Sequence, residues 1–143
     1  MKIIAAIPAR YDASRFPGKL LADLCGKPVI QHTYEKVHQS GLFDRVIIVT
    51  DSDEIASVVT GFGGDVIRSQ KEHDCGSDRI AEAVLDLDAD IVINVQGDEP
   101  FIRPEGLSSL IEIFKSDQNK DIDLASLMIP ITEEINNPNV VKV

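Results

Sequence analysis

Four side chains in this 143-residue sequence could act together on a phosphate: Arg10, Arg15, Lys19 and Asp98. The three cations fall in one turn-rich stretch, Pro8-Ala9-Arg10-Tyr11-Asp12-Ala13-Ser14-Arg15-Phe16-Pro17-Gly18-Lys19, together with the hydroxyl of Ser14. Nucleotidyl transfer needs a triphosphate held with its α-phosphorus open to in-line attack. Cations on a short loop neutralise the charge that grows on the departing pyrophosphate. Arg clamps two phosphate oxygens at once, whereas Lys acts as a point charge. Asp98 lies in a second turn, Gln96-Gly97-Asp98-Glu99-Pro100. One carboxylate there is enough for part of a magnesium site, because Mg2+ takes one or two carboxylates and completes its shell with phosphate and water. The plain alternatives are a solvated basic loop for the first stretch and an ordinary turn with solvated acids for the second.

A third stretch, His73-Asp74-Cys75-Gly76-Ser77-Asp78-Arg79, reads as the start of a helix with Ser77 as its N-cap. Its backbone donors suit an anion or a polar base. Arg79 in the first turn opposes the helix dipole, a costly placement that points to a partner. His73 and Cys75 form no zinc site, because no second ligand pair exists. Asp86, Asp88 and Asp90 fail as a calcium loop, since Ile91 stands where Gly is needed and Gly97 where Glu is needed. They read as acids that solvate a helix end. His32 and His38 read as packing or surface residues on a helix. The basic loop is neither a dinucleotide fingerprint nor a Walker A loop, for it lacks a glycine between the first strand and Gly18 and a hydroxyl after Lys19.

The elements that must carry these residues alternate. Ile3–Ile7, Val46–Val49, Val66–Ile67 and Ile91–Val95 are short continuous apolar runs, the mark of strands buried on both faces. Between them, helices are expected from Pro28 to Gly41, from an Asp51/Glu54 capping box to the glycines 61, 63 and 64, and from Ser77 past Leu87. A further helix follows Pro104, then a polar loop over 115–121, then a fifth strand over Leu124–Ile131. This order predicts an α/β, Rossmann-like, doubly wound and mostly parallel sheet. In such a sheet the ends of the first and fourth strands meet where strand order reverses, which would set Asp98 opposite the basic loop.

Composition narrows the partners. The net charge is −10, with 14 Lys and Arg against 24 Asp and Glu, which argues against nucleic acid or an anionic membrane surface. Three of those few cations crowd residues 10–19, so a small anion such as a nucleotide fits better. Hydrophobic residues make up 43%, enough for a folded core, and no apolar run approaches a membrane span. No cleavage site follows the first apolar run, and Cys25 and Cys75 read as reduced thiols, so a cytoplasmic location is expected. The ending at Val143, on what looks like the start of a strand after the Asn137-Pro138-Asn139 turn, reads as a fragment of a longer catalytic domain, with residues 1–143 one nucleotide-binding α/β domain.

Three motifs together resemble one family. Ile7-Pro8-Ala9-Arg10-Tyr11 continuing through Ser14-Arg15-Phe16-Pro17-Gly18-Lys19, then Gly76-Ser77-Asp78-Arg79-Ile80-Ala81-Glu82, then Val95-Gln96-Gly97-Asp98-Glu99-Pro100, are similar to the signatures of the 3-deoxy-manno-octulosonate (Kdo) cytidylyltransferases. Asn137-Pro138-Asn139 with Val141-Lys142-Val143 matches a later landmark of that family. CMP-sialate synthetases share the opening theme but not typically Phe-Pro-Gly-Lys or Gln-Gly-Asp-Glu-Pro. The resemblance implies a nucleotide-diphospho-sugar transferase fold and the reaction of CTP with Kdo to CMP-Kdo and pyrophosphate, with Mg2+, for lipopolysaccharide biosynthesis. It implies that Arg10, Ser14, Arg15 and Lys19 hold the triphosphate, with Arg15 also near the sugar acid, and that Ala9 is a further binding residue. It further implies that Asp98 binds the metal, Gln96 contacts the sugar, and Ser77 and Arg79 place the nucleotide. A homodimer is implied for the full-length protein, and poor turnover for residues 1–143 alone. Ala13 and Cys75 depart from the pattern where a hydroxyl is common. The rival readings are another sugar nucleotidyltransferase and a nucleotide-binding module without catalysis.

Overall fold

A computed structural model describes residues 1–12 and 16–128. The expected roles of Ser14 and Arg15, the departure at Ala13 and everything from Ile129 onward lie outside the described residues.

Four strands form one parallel sheet: β1 (Ile3–Ala9), β4 (Arg45–Thr50), β5 (Val66–Arg68) and β6 (Ile91–Asn94), in the order β5-β4-β1-β6. Their β-branched, apolar sequences suit a sheet covered on both sides. Period-two alternation divides the side chains between two cores. Ile3, Ala5, Ile7, Val46 and Ile48 face α1 (Val29–Gln39), α2 (Asp53–Gly61) and α4 (Pro104–Ser116), through Ile30, Val37, Ile55, Val59, Leu107 and Ile111. Ile4, Ala6, Ile47 and Val49 face α3 (Gly76–Val84) through Ile80, with Ala83 and Val84 beside it. Ile7, Ile30, Ile47 and Ile48 are fully buried; each contributes on the order of 2–3 kcal/mol of transfer free energy. The doubly wound parallel architecture expected from the alternation is the one observed. No helix among the described residues is long and apolar enough to cross a membrane.

The strand order fixes the site. β1 lies between β4 and β6, so chain direction reverses its march across the sheet at β1. Crossovers leave this point in opposite directions and open a crevice at the strands' carboxyl ends. Pro8 pairs with Val49 and Ala9 with Thr50, while Val95 N–H donates to Ala6 C=O at 3.0 Å, so the loops after β1, β4 and β6 begin side by side.

Local details differ from the sequence reading. Ser52, not Asp51, caps α2, accepting from Ile55 N–H at 3.3 Å. Helix α3 begins at Gly76 with Cys75 at the N-cap, leaving Ser77 exposed in the first turn without a capping bond. A small hairpin, β2 (Asp23–Leu24) with β3 (Lys27–Pro28), was not expected; Cys25 (φ 54°) and Gly26 (φ 88°) form its turn. Two successive positive φ angles are what a two-residue hairpin turn requires, and Cys is a poor advertisement for one. No strand runs over residues 124–128; Leu124, Leu127 and Met128 are exposed instead, and an apolar run without a neighbour to pair with does not become a strand. Asp88 and Asp90, expected among the acids near a helix end, have a described partner in Lys2. Lys2 binds both, Nζ to Asp88 at 2.5 Å and backbone N–H to Asp90 at 2.6 Å, and so ties the loop before β6 to the start of β1.

Candidate functional site

The loop after β1 turns back on itself. Gly18 N–H donates to Tyr11 C=O at 2.8 Å, and Gly18 takes φ +69°, with Tyr11 where a Cβ would point. That conformation is open to glycine and strained for other residues. It launches a single 3-10 turn, Lys19–Leu21, whose Leu20 enters the core while Lys19 stays at the surface.

From there Lys19 Nζ reaches Asp98 Oδ2 at 2.5 Å, across the ends of β1 and β6. Both side chains are about two-fifths exposed (39% and 43%), so the pair is worth only about 0–1 kcal/mol and separates readily. Arg10, Lys19, Gln96, Gly97 and Asp98 line one cleft of about 140 Å3. Gln96 is exposed, and its Nε2 donates to Asn94 Oδ1 at 3.2 Å. The turn carrying Asp98 is pinned from below: Thr33, wholly buried in α1, donates Oγ1–H to Gly97 C=O at 2.8 Å. That anchor spans 64 positions of sequence, and no local pattern announces it.

Arg10 also lines a second, larger cleft of about 550 Å3 on the β4 side. Its walls carry Asp12, Asp51, Asp53, Glu54, Glu72 and Asp74, with His73 and Arg79. Helix α3 comes close here because position 76 is glycine; a Cβ would lie 3.0 Å from Pro8 Cγ. Arg79 is 3% exposed and lies against Asp51, Nη1 at 2.8 Å from Oδ1 and Nη2 donating to Oδ2 at 3.2 Å. The partner that its costly position called for is thus Asp51. Partial burial pushes the Asp51 carboxyl upward, but the hydrogen bond and charge of Arg79 outweigh it, and the group rests below the usual carboxylate range. Arg68 supports Asp51 from behind, donating Nη2–H to its carbonyl at 2.8 Å and pairing with Asp53 at 2.8 Å.

Glu82 of α3 lies behind His73, which lines this cleft, and fastens the loop over 69–73. It accepts from Ser69 Oγ at 2.8 Å, from Gln70 N–H at 2.9 Å and from His73. These hydrogen bonds, that of His73 first, hold its carboxyl down at about 2. His73 is therefore occupied by a carboxylate, and no group of three or more metal-binding side chains occurs among the described residues.

Arg10, Lys19, Gln96 and Asp98 therefore share one cleft and Arg10 and Arg79 share the neighbouring one, whereas Ala9, buried at the end of β1, lines neither. Ser77 lines neither. Asp51, Thr33 and Glu82 are the residues sequence reading did not single out for the site.

The chain is similar to known proteins in sequence and in fold. The sequence profile of the cytidylyltransferase family matches residues 4–143. The chain is 59% identical over 145 residues to a protein of Flavobacterium johnsoniae and 56% identical over 144 residues to one of Christiangramia forsetii, both named 3-deoxy-manno-octulosonate cytidylyltransferase. Those matches take in 100% and 99% of this chain but 59% and 58% of the relatives, so the chain spans about three-fifths of their length. Among solved structures, CMP:2-keto-3-deoxy-manno-octonic acid synthetase complexed with CTP superposes with a TM-score of 0.79 at 43% identity, over 82% of this chain and 48% of that one. The chain belongs to the cytidylyltransferase family.

Proposed function

We propose that this chain is the nucleotide-binding portion of a 3-deoxy-manno-octulosonate cytidylyltransferase, which transfers CMP from CTP to Kdo and releases pyrophosphate. The observation that carries the reading is the meeting of Lys19 and Asp98, flanked by Arg10, across the ends of β1 and β6. The names and identities of the relatives support the choice of sugar and base.

In this reading the anomeric hydroxyl of Kdo attacks the α-phosphorus of CTP and the bond to the β-phosphate oxygen breaks. Arg10 and Lys19 neutralise the triphosphate, with Arg15 and Ser14 of the same loop assigned to it by the family resemblance. The weak Lys19–Asp98 pair keeps the ammonium and the carboxylate extended toward one point before substrate arrives. Phosphate oxygens then take Lys19, and Asp98 becomes available. The donor set fits a magnesium ion: one half-exposed carboxylate beside a triphosphate site, with no all-protein cage among the described residues. Such an ion would neutralise charge on the phosphates and orient them. Gln96, exposed at the mouth, is assigned to the sugar acid, Ser77 and Arg79 to the placing of the nucleotide, and Ala9 to its binding. We further assign the whole protein to the cytoplasm as a homodimer, in keeping with its activated-sugar product and reduced thiols.

The test is pyrophosphate release by the whole protein with CTP, UTP or ATP, each with Kdo or sialate. Release with CTP and Kdo above all other pairs is expected. No release with that pair, or preference for sialate, would overturn the reading.

A further inference from the structure

The large cleft beside α3 poses a problem for a protein that binds a polyanion, because six carboxylates line it. A triphosphate is repelled from such walls and is confined to the Lys19 side. What remains for this cleft is the uncharged end of the nucleotide. Arg79 lies against it, with a guanidinium almost wholly out of solvent in the first turn of a helix, where the dipole disfavours a cation. A guanidinium has five donors. One hydrogen bond, from Nη2 to Asp51 Oδ2, is made; Nη1 lies within ionic range of Oδ1 but donates a well-directed hydrogen bond to no described residue. The Oδ1 contact is close but poorly directed, and a second acceptor would complete what it leaves incomplete.

Resting on the proposed nucleotide-binding role, we propose that Asp51 is a positioning residue for the nucleotide: it holds the Arg79 guanidinium at the floor of this cleft so that the group can serve an uncharged acceptor on the nucleoside, a base carbonyl or a ribose hydroxyl. Its own setting suits that task. Asp51 follows the last residue of β4, whose Thr50 is fully buried and hydrogen-bonded to Ser69 N–H through its carbonyl at 2.9 Å. Arg68 grips the Asp51 carbonyl, leaving the carboxylate for Arg79. The other cation on the cleft, Arg10, is exposed on the β1 loop, so Asp51 and Arg79 form the rigid side and Arg10 the adaptable one.

The test compares ligands on the same chain. Titration calorimetry with magnesium measures CTP and inorganic triphosphate binding to the unaltered chain, to Asp51→Asn and to Arg79→Lys, below each protein's melting temperature. Asp51→Asn keeps the shape and one acceptor but loses the charge. Arg79→Lys keeps a cation but loses the planar fork, and carries the same test should the first variant fail to fold. Each should weaken CTP roughly ten-fold or more, as for loss of one charge-assisted hydrogen bond, and leave triphosphate within about two-fold. The double variant should lose no more than the worse single one. If 2′,3′-dideoxycytidine triphosphate loses affinity equally, the acceptor lies on the base; if it does not, on the ribose. Unchanged CTP affinity in both variants, or equal losses for CTP and triphosphate, overturns the inference. Failure of the unaltered chain to bind CTP overturns the nucleotide reading itself.

Discussion

Replacing Thr33 by valine isolates the anchor beneath Asp98. The two side chains have nearly the same shape, but the exchange is not neutral because one carries a hydroxyl. That hydroxyl donates at 2.8 Å to Gly97 C=O, and both residues are buried. A second approach, 3.4 Å to Val29 C=O within α1, is too long to matter much. Valine leaves the Gly97 carbonyl short of its donor, at a cost of about 1–3 kcal/mol. It returns a few tenths of a kcal/mol through easier burial of a methyl. A net loss of about 1–2 kcal/mol lowers the melting temperature of a chain this size by roughly 2–8 °C. Thermal unfolding followed by circular dichroism reads this directly. Thr33→Ser serves as the control, since it keeps the donor and deletes one buried methyl, costing about 1 kcal/mol. Because the same bond fixes the Asp98 turn, Thr33→Val should also weaken CTP binding, whereas Thr33→Ser should not. A melting temperature within about 1 °C of the unaltered chain would refute the anchoring role.

Other perturbations follow from contacts of the same kind. Gly64→Ala would place a Cβ 2.7 Å from Phe62 Cε2, 2.8 Å from Val59 Cγ1 and 3.2 Å from the Val59 carbonyl, so urea unfolding should show a loss of about 1–3 kcal/mol. Gly61→Ala, at the end of α2 with open space around it, should instead stabilise by about 0.4–1 kcal/mol. Glu82 sits at about 2 in the folded chain against an ordinary 4.5, so the folded state binds fewer protons between those values. Its contribution is complete above the ordinary value and is lost as pH falls from about 4.5 toward 2. Glu82→Gln should flatten that acid limb of the urea midpoint, and an unchanged limb would remove Glu82 from the loop-fastening role.

Much of this architecture is legible in the residues because it rests on local pattern. Four apolar runs separated by helical periodicities specify a parallel sheet with helices on both faces, and the turn residues after β1 and β6 mark where its carboxyl ends open. The sequence pattern also places Asp98 opposite the basic loop, once strand order reverses at β1. What stays hidden depends on distance. The Thr33–Gly97 bond joins residues 64 apart, and Arg79 finds Asp51 28 positions away. Nothing in either neighbourhood names the other. Within the described part of the expected strand over 124–131, residues 124–128 form none: their apolar side chains satisfy a propensity, but a strand exists only with a partner edge, and no described strand pairs with them. Ser77 fails as a cap by two positions, within the ordinary uncertainty of helix ends.

The role proposed for Lys19 and Asp98 is to hold a nucleotide triphosphate together with a divalent cation. The most direct measurement is calorimetric titration of CTP into the chain with magnesium or with chelator, for the unaltered protein and for Asp98→Asn. Magnesium is expected to tighten CTP binding about ten-fold or more in the unaltered chain and to have little effect in Asp98→Asn, with melting temperatures alike because an exposed pair contributes only about 0–1 kcal/mol. An equal magnesium effect in both proteins would contradict it.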